Sequence, residues 1–413
     1  MIIRKKYLFY ILAITSSFIA AVVTALDTVI GGKFIPDPWA FGFAIFFVGG
    51  IITFLISVAL SIPHKGTSVG AKLLDPQFKR LRMVKKSELN YHVIAGLMNA
   101  INTIGYCALI SLVLEPSVIL SFSQVVIVYL LFMESVTEKD VPTLVEIQSS
   151  VIVTCGAILA SISLTGAIDP ISLLIVFLVI NPTWAVFSIY QRKLKLLRIN
   201  NRPNDSINIR FWNVIFSFIF TAVILLGFDV ITGSHNIIAG LTASFQYFGW
   251  VMLTMGTTFF SYVLYIRSLG LGKASINNAI RASTIIFALP FSLLLTMFFG
   301  IPMFSTDPVM LIIKTIGMLL IVLGIISFAL TVVKAYIFIT VHPGYPLKET
   351  MKKLWNIRGI THVTVTAGKN DFIVKVSTRT LMKGYEKIIR KIEEIKEVKS
   401  YRWASVLKDW ENI

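Results

Sequence analysis

The sequence predicts an all-α polytopic membrane domain of ten spans, followed by a small C-terminal α+β domain with the order β-α-β-β-α-β. Three observations carry this. Hydrophobic residues fill 56% of the 413 positions and charged residues 14%, where soluble domains carry about a quarter. The apolar residues gather into runs long enough to cross a bilayer. From about Ala335 these give way to short alternating segments.

The mean hydropathy of +0.80 points to lipid as the medium that hides this surface. A helix crosses the hydrocarbon with roughly 20 mostly apolar residues. Ten segments qualify: Tyr7–Leu26, Trp39–Ile62, Tyr91–Leu112, Ser117–Glu134, Glu146–Leu164, Ile171–Tyr190, Phe211–Ile231, Phe245–Ile266, Ile276–Phe299 and Val309–Val333. Breakers separate them at Pro36-Asp37-Pro38, Glu115-Pro116, Asp169-Pro170 and Gly300-Ile301-Pro302. Arg4-Lys5-Lys6 before the first run is the flank of a signal peptide, but that run is too long for one and more spans follow. It reads as a retained first helix.

Cations fix the orientation. They sit at the N-terminus (Arg4, Lys5, Lys6), in the second loop (Lys65, Lys72, Lys79, Arg80, Arg82, Lys85, Lys86) and in the sixth (Arg192, Lys193, Lys195, Arg198, Arg202, Arg210). The eighth loop has Arg267 and Lys273, and the tail junction has Lys334. The fourth is weak, with Lys139 between two acids, and Lys33 is the exception among the odd loops. By the positive-inside rule both termini are cytoplasmic in the cell membrane, which needs an even number of spans. The net charge of +17 is thereby assigned to topology and anionic lipid, with no nucleic-acid partner.

In the tail, Ala335–Val341 is a short apolar strand. Leu347–Ile357 has helical periodicity. Thr361–Thr366 and Phe372–Val376 are strands around the turn Ala367–Asp371. Leu381–Ile395 is an amphipathic helix, and Val398–Leu407 a closing strand. The order is that of a ferredoxin-like split βαβ unit.

The membrane part looks duplicated, over about 7–164 and 171–333. Tyr106 followed by Ala108–Ser117 aligns with Tyr262 followed by Leu264–Ser275, and Gly-containing helices around Gly156 and around Gly317 and Gly324 follow. Five spans per half makes the repeats inverted. On Leu112–Pro116, Glu134, Tyr265–Ser275 and Trp184–Phe187 running into Gln191-Arg192-Lys193, residues 7–333 resemble the drug/metabolite transporter superfamily, EamA type. The resemblance implies two five-helix repeats and transport. Where that family has Gly-Glu, this chain has Met133-Glu134, and Gly300-Ile301 in the second half. On Ala335–Val341, Pro343-Gly344, Val363–Val376 and Val398–Trp410, residues 335–410 resemble the effector-binding domain of Lrp/AsnC-type regulators. That implies an amino-acid effector and pairing of subunits, here without a DNA-binding helix-turn-helix.

Polar side chains inside spans are the candidate substrate contacts, because burying them costs several kcal/mol without partners. Asn277, Asn278 and Arg281 share one face of the ninth segment. Arg281 reads either as an anion contact in a central cavity or as a cation reaching back to the interface. Asn99, Asn102, Thr103 and Tyr106 share a face of the third, and Thr254, Thr257, Thr258, Ser261 and Tyr262 of the eighth. Ser121, Ser123 and Gln124 add to the fourth. These either line a cavity or bond helix to helix. The substrate set is Asn99, Asn102, Tyr106, Gln124, Thr257, Tyr262, Asn278 and Arg281. Asn181-Pro182 is a hinge or a passive kink, and Pro290 likewise. Lys314 reads as a snorkelling cation, and Asp27 and Glu134 as wet span ends. In the tail, Gly368 and Asp371 are the candidate effector contacts, or Asp371 merely shapes its turn.

Enzyme chemistry finds no motif. Arg267 stands where a P-loop needs its first Gly and Ala274 where it needs Ser or Thr. Cys107, Cys155, His342 and His362 lack metal-ligand spacing, so no cofactor or metal is expected. The expectation is a secondary transporter or exporter of a small polar metabolite, with a tail that senses an amino acid or forms a homodimer. Its rival is a membrane-anchored receptor presenting the tail without transport.

Overall fold

The computed structural model describes residues 5–64, 66–112, 123–137, 144–160, 174–199, 202–299, 308–330, 333–357, 359–368, 370–378 and 388–405. It divides into two compact units, Ile3–Leu130 with Ile152–Val322, and Leu131–Val151 with Leu323–Ile413. The expected boundary at 334 falls inside the second unit, which also takes Leu131–Val151.

The helices are α1 Lys5–Val29, α2 Pro38–Leu60, α3 Val69–Leu73, α4 Lys86–Leu112, α5 Val126–Thr137, α6 Leu144–Ala160 and α7 Asn181–Leu196. After them come α8 Ser206–Thr232, α9 Asn236–Gln246, α10 Phe248–Leu269, α11 Ala274–Arg281, α12 Thr284–Phe299 and α13 Pro308–Leu330. Among the described residues five helical segments are long and apolar enough to cross a membrane: Tyr7–Phe34, Pro38–Leu60, Lys86–Leu112, Ser206–Thr232 and Phe248–Leu269. α1 packs on α10 and α12, α4 on α7 and α8, and α2 on α8, α9 and α10. Their starts are capped as the sequence allows. Asp37 accepts from the Trp39 N–H at 3.1 Å ahead of Pro38, and Asp205 from the Asn208 N–H at 2.8 Å.

Three helices depart from regular geometry. α1 runs on through a π turn at Ile30–Phe34, closed by the Ile35 N–H on the Ile30 carbonyl at 2.7 Å. A second π turn, Ile175–Ile180, leads into Asn181-Pro182. Pro182 has no N–H for the Phe177 carbonyl in that register, and the Tyr129 hydroxyl donates to it instead at 2.9 Å. The ninth segment, expected to be continuous from Ile276, is broken between α11 and α12, where the Ser283 N–H bonds the Ile280 carbonyl at 3.0 Å in a tighter turn. The breakers at 115–116, 169–170 and 300–302, residues Ser121 and Lys139, and the first part of the helix expected over 381–395 lie outside the described residues.

Gly156 of α6 lies where α13 passes closest. A Cβ there would stand 2.6 Å from the Gly317 carbonyl oxygen, so the two helices meet backbone to backbone at these glycines.

The tail sheet consists of β5 Val333–Val341, β6 Ile360–Val365, β7 Phe372–Thr378 and β8 Val398–Ser405, with two-residue hairpin strands β1 to β4 earlier in the chain at 63–64, 67–68, 198–199 and 202–203. Its order is β6-β7-β5-β8 and every pair is antiparallel, which is the expected ferredoxin-like topology. Alternation along β5 and β7 puts Ala335, Ile337, Ile339, Phe372, Val374 and Val376 on one face, packed with Leu354 of α14 (Leu347–Trp355) and with Ile388 and Ile392. These residues form the core, so the apolar alternation is not a surface for pairing with another sheet. Phe372→Ala in a fragment beginning at Val333 should cost about 3–5 kcal/mol, most of a small domain's stability. Urea unfolding of the fragment followed by circular dichroism measures it.

Candidate functional site

A cavity of about 170 Å³ lies within the larger unit. α1 gives it Thr24 and Asp27; α4 gives Asn99, Asn102, Thr103 and Tyr106; α7 gives Trp184; and α8 gives Arg210. α10 contributes Thr258, Ser261 and Tyr262, and α11 contributes Asn278 and Arg281, with Gln124 just ahead of α5. Seven of the eight expected substrate contacts therefore meet in one space. Thr257 does not line it: one residue before Thr258, its hydroxyl donates to the Leu253 carbonyl of its own helix at 2.8 Å.

Both readings of the amides hold at once. Asn99 donates to the Ser217 hydroxyl at 2.8 Å and Asn102 to the Ile180 carbonyl at 2.8 Å, joining α4 to α8 and to the second π turn, while both line the cavity. Asn278 accepts from the Trp184 indole N–H at 3.0 Å and donates to the Tyr265 hydroxyl at 3.1 Å, which donates to Ser188 at 2.7 Å. Trp184 and Tyr262 thus make an aromatic wall of the cavity, with Tyr265 packed against both rings and hydrogen-bonded to Asn278.

Two guanidiniums face that wall. The Arg281 carbon stands 4.5 Å from the Tyr265 ring centre and 5.3 Å from that of Trp184, and the Arg210 carbon 4.2 Å from that of Tyr262. Among the described residues no carboxylate pairs with either. Among the described residues, Arg210 Nε and Arg281 Nη1 are buried without a hydrogen-bond partner. Arg281 thus lines the cavity.

Asp27, expected as a wet span end, and Arg210, expected as a loop cation, are both buried and line the cavity. The first segment was ended at Leu26, but the helix continues through Asp27, which is buried and accepts from the Thr254 hydroxyl at 2.6 Å and the Tyr106 hydroxyl at 3.3 Å. Arg210 counted as a loop cation because the seventh segment began at Phe211. The Asp205 cap starts the helix at Ser206, and an N-cap residue three before Asn208 was the available signal. Glu134 and Lys314 are also buried, at 4% and 3% exposure, not wet or snorkelling.

At the cation-rich end a polar network ties the loop after α2 to the end of α7 and the start of α8. Lys195 donates to the Asp75 carboxylate at 2.6 Å and to the Asn204 carbonyl at 2.7 Å, and the Ser206 N–H and hydroxyl donate to the same Asp75 oxygen at 2.7 Å. Arg82 grips Glu88 with both nitrogens at 2.6 and 2.7 Å and reaches Asn204 at 2.8 Å. Burial works to raise the Asp75 carboxyl, but the Lys195 ammonium and the Ser206 donors outweigh it and hold it below the usual carboxylate range. Burial pushes Asp205 the other way, upward, against its Asn208 bonds. Asp75 therefore contributes stability that is present above its unfolded pKa near about 3.9 and is lost as pH falls through the lower folded value. Asp75→Asn should cost about 3–5 kcal/mol near neutrality by leaving Lys195 buried without its counter-charge, whereas Asp75→Leu with Lys195→Met should cost less. Thermal unfolding of the full chain in detergent at neutral and acid pH measures both effects, and the acid loss should shrink in Asp75→Asn.

In the tail, the Asp371 carboxylate accepts from the Val341 N–H at 2.8 Å and so pins the end of β5. Gly368, at φ +155°, is exposed with open space around it. The turn is built by local bonds, including the Thr366 hydroxyl on the Asn370 carbonyl at 2.6 Å. The open sheet face carries Tyr336, His362, Thr364, Ile373 and Lys375 around a shallow depression.

Residues 334–411 match the family model of the Lrp/AsnC ligand binding domain. The match covers the tail alone. A solved structure described as "Crystal structure of protein" is similar at 12% identity and a TM-score of 0.49, over 76% of this chain and 95% of that chain. Comparison with curated proteins finds no match.

Proposed function

We propose that the chain is a secondary transporter of a small polar metabolite bearing an anionic group such as a carboxylate, working by alternating access between two inverted five-helix halves. The carrying observation is the pair of guanidiniums, Arg210 and Arg281, that line one cavity without a carboxylate partner among the described residues. A buried cation without a counter-charge is costly, and a ligand anion offsets that cost when it arrives. The aromatic wall of Trp184 and Tyr262 suits the apolar part of such a ligand. Tyr106 and Tyr262, aligned as repeat equivalents, both line the space, which supports a site shared by the two halves. Ten spans with cytoplasmic termini are the topology that goes with it.

The tail is read as a cytoplasmic regulatory domain that binds a small amino-acid-like effector and pairs with a second copy. The ligand class rests on the Lrp/AsnC likeness. With Asp371 holding β5, the open sheet face around Tyr336 and Lys375 is the better candidate surface than the Gly368–Asp371 turn.

Reconstitution into lipid vesicles and a flux screen over amino acids and organic anions tests the transport reading. Arg281→Lys should lower flux by about tenfold or more at unchanged expression, since an ammonium cannot reproduce bidentate contact with a carboxylate. Equal flux in the variant would remove Arg281 from the site. Absence of flux for every compound would favour the receptor reading.

A further inference from the structure

The cavity holds one more charged group whose role anion binding leaves open. Asp27 is 6% exposed, and its two oxygens accept only from neutral hydroxyls, Thr254 at 2.6 Å and Tyr106 at 3.3 Å. Among the described residues no ion pair reaches it. It lines the same space as the two guanidiniums but at the other end of α10. Thr254 beside Asp27 and Tyr262 beside Arg210 and Arg281 are separated by about 12 Å at 1.5 Å rise per residue. The titratable or charged groups facing Asp27 are Tyr106 and Cys107 of α4, Tyr262 of α10, Arg210 of α8 and Arg281 of α11. α2 carries no titratable residue, and Lys33 is exposed on the π turn that follows α1.

We propose that Asp27 is the cavity's proton site and that a proton on Asp27 and an anion on Arg210 and Arg281 load together. A carboxylate buried without an ion-pair partner is disfavoured unless something compensates it. Among the described residues the opposite charges that share its cavity are the two guanidiniums. An anion bound to them cancels their field at Asp27, so the carboxylate takes up a proton, forming one O–H bond with no other bond made or broken. By reciprocity, a protonated Asp27 strengthens anion binding by the same factor. Given the transport reading, on which this direction rests, anion and proton cross in the same direction.

Infrared spectroscopy of the full chain in bilayers, with pH stepped up and down, tests the site without a ligand. A protonated-carboxyl band should grow as pH falls and be missing from Asp27→Asn. Substituting a guanidinium imitates its neutralisation by an anion. In Arg281→Gln or Arg210→Gln the band should therefore persist to higher pH, its midpoint moved up by about one pH unit, the effect that a unit charge has from about 12 Å at an effective dielectric of about 20. Should Asp27→Asn fail to fold by thermal unfolding, Asp27→Glu serves instead, since it must displace the band. A spectrum identical in wild type and the Asp27 variant overturns the proposal, as does a midpoint that neither arginine substitution moves. If the band behaves as expected while the vesicle screen shows no flux, the transport reading falls and the proton site stands. Flux without the band removes only the proton site.

Discussion

Polar groups on a helix within lipid have no water to turn to, so each must find its partner inside the bundle. Much of the packing here follows from that constraint. Ser17, Thr24 and Thr28 of α1 return their hydroxyls to carbonyls four residues back in the same helix. Ser16 and Ser261 exchange hydrogen bonds with each other's carbonyls at 2.9 and 3.0 Å, fastening α1 to α10 beside the cavity. Asn99 and Asn102 fasten α4 to its neighbours in the same way. Removing such a partner leaves a buried donor or acceptor unpaired, which costs more than the bond itself contributed.

Two sets of cations meet this constraint differently. Lys195 and Arg82, toward the cation-rich end, are matched to Asp75 and Glu88 with amide bonds filling the remaining positions. Such a network is closed. Arg210 and Arg281 are set against aromatic faces, which attract a cation but accept none of its hydrogen bonds in the plane of the guanidinium. That arrangement holds the charge in place and, among the described residues, leaves Arg210 Nε and Arg281 Nη1 without a protein partner. The contrast distinguishes a structural cluster from a binding one more sharply than the presence of arginine does.

The sequence made the membrane character, the tail topology and most of the cavity face legible, because these rest on periodicities that survive folding. The 3.6-residue period brought Asn99, Asn102 and Tyr106 to one side of α4, and the two-residue period brought Ile337, Ile339 and Val374 to one side of the sheet. Thr257 failed because adjacent threonines differ by about 100° around the axis, and nothing in composition says which of Thr257 and Thr258 faces inward. Asp27 and Arg210 failed because a hydropathy run is naturally ended at a charge, whereas both helices pass through theirs. The break after Arg281 is a property of the chain's hydrogen bonds and left no mark that a window of apolar residues could register.

Two of the three irregular stretches of backbone border the cavity, and the third begins just after the cavity residue Asp27. Asp27 stands one turn before the π turn at Ile30–Phe34, Asn102 bonds the last carbonyl of the turn at Ile175–Ile180, and Arg281 ends α11 at the break before α12. Non-helical backbone at membrane depth is tolerated where it lines a cavity or is covered by protein, since only there can its freed groups be satisfied. Asp27 and Arg281 thus stand next to two of these stretches, while Tyr106, Thr254 and Tyr262 come from α4 and α10, which are α-helical throughout.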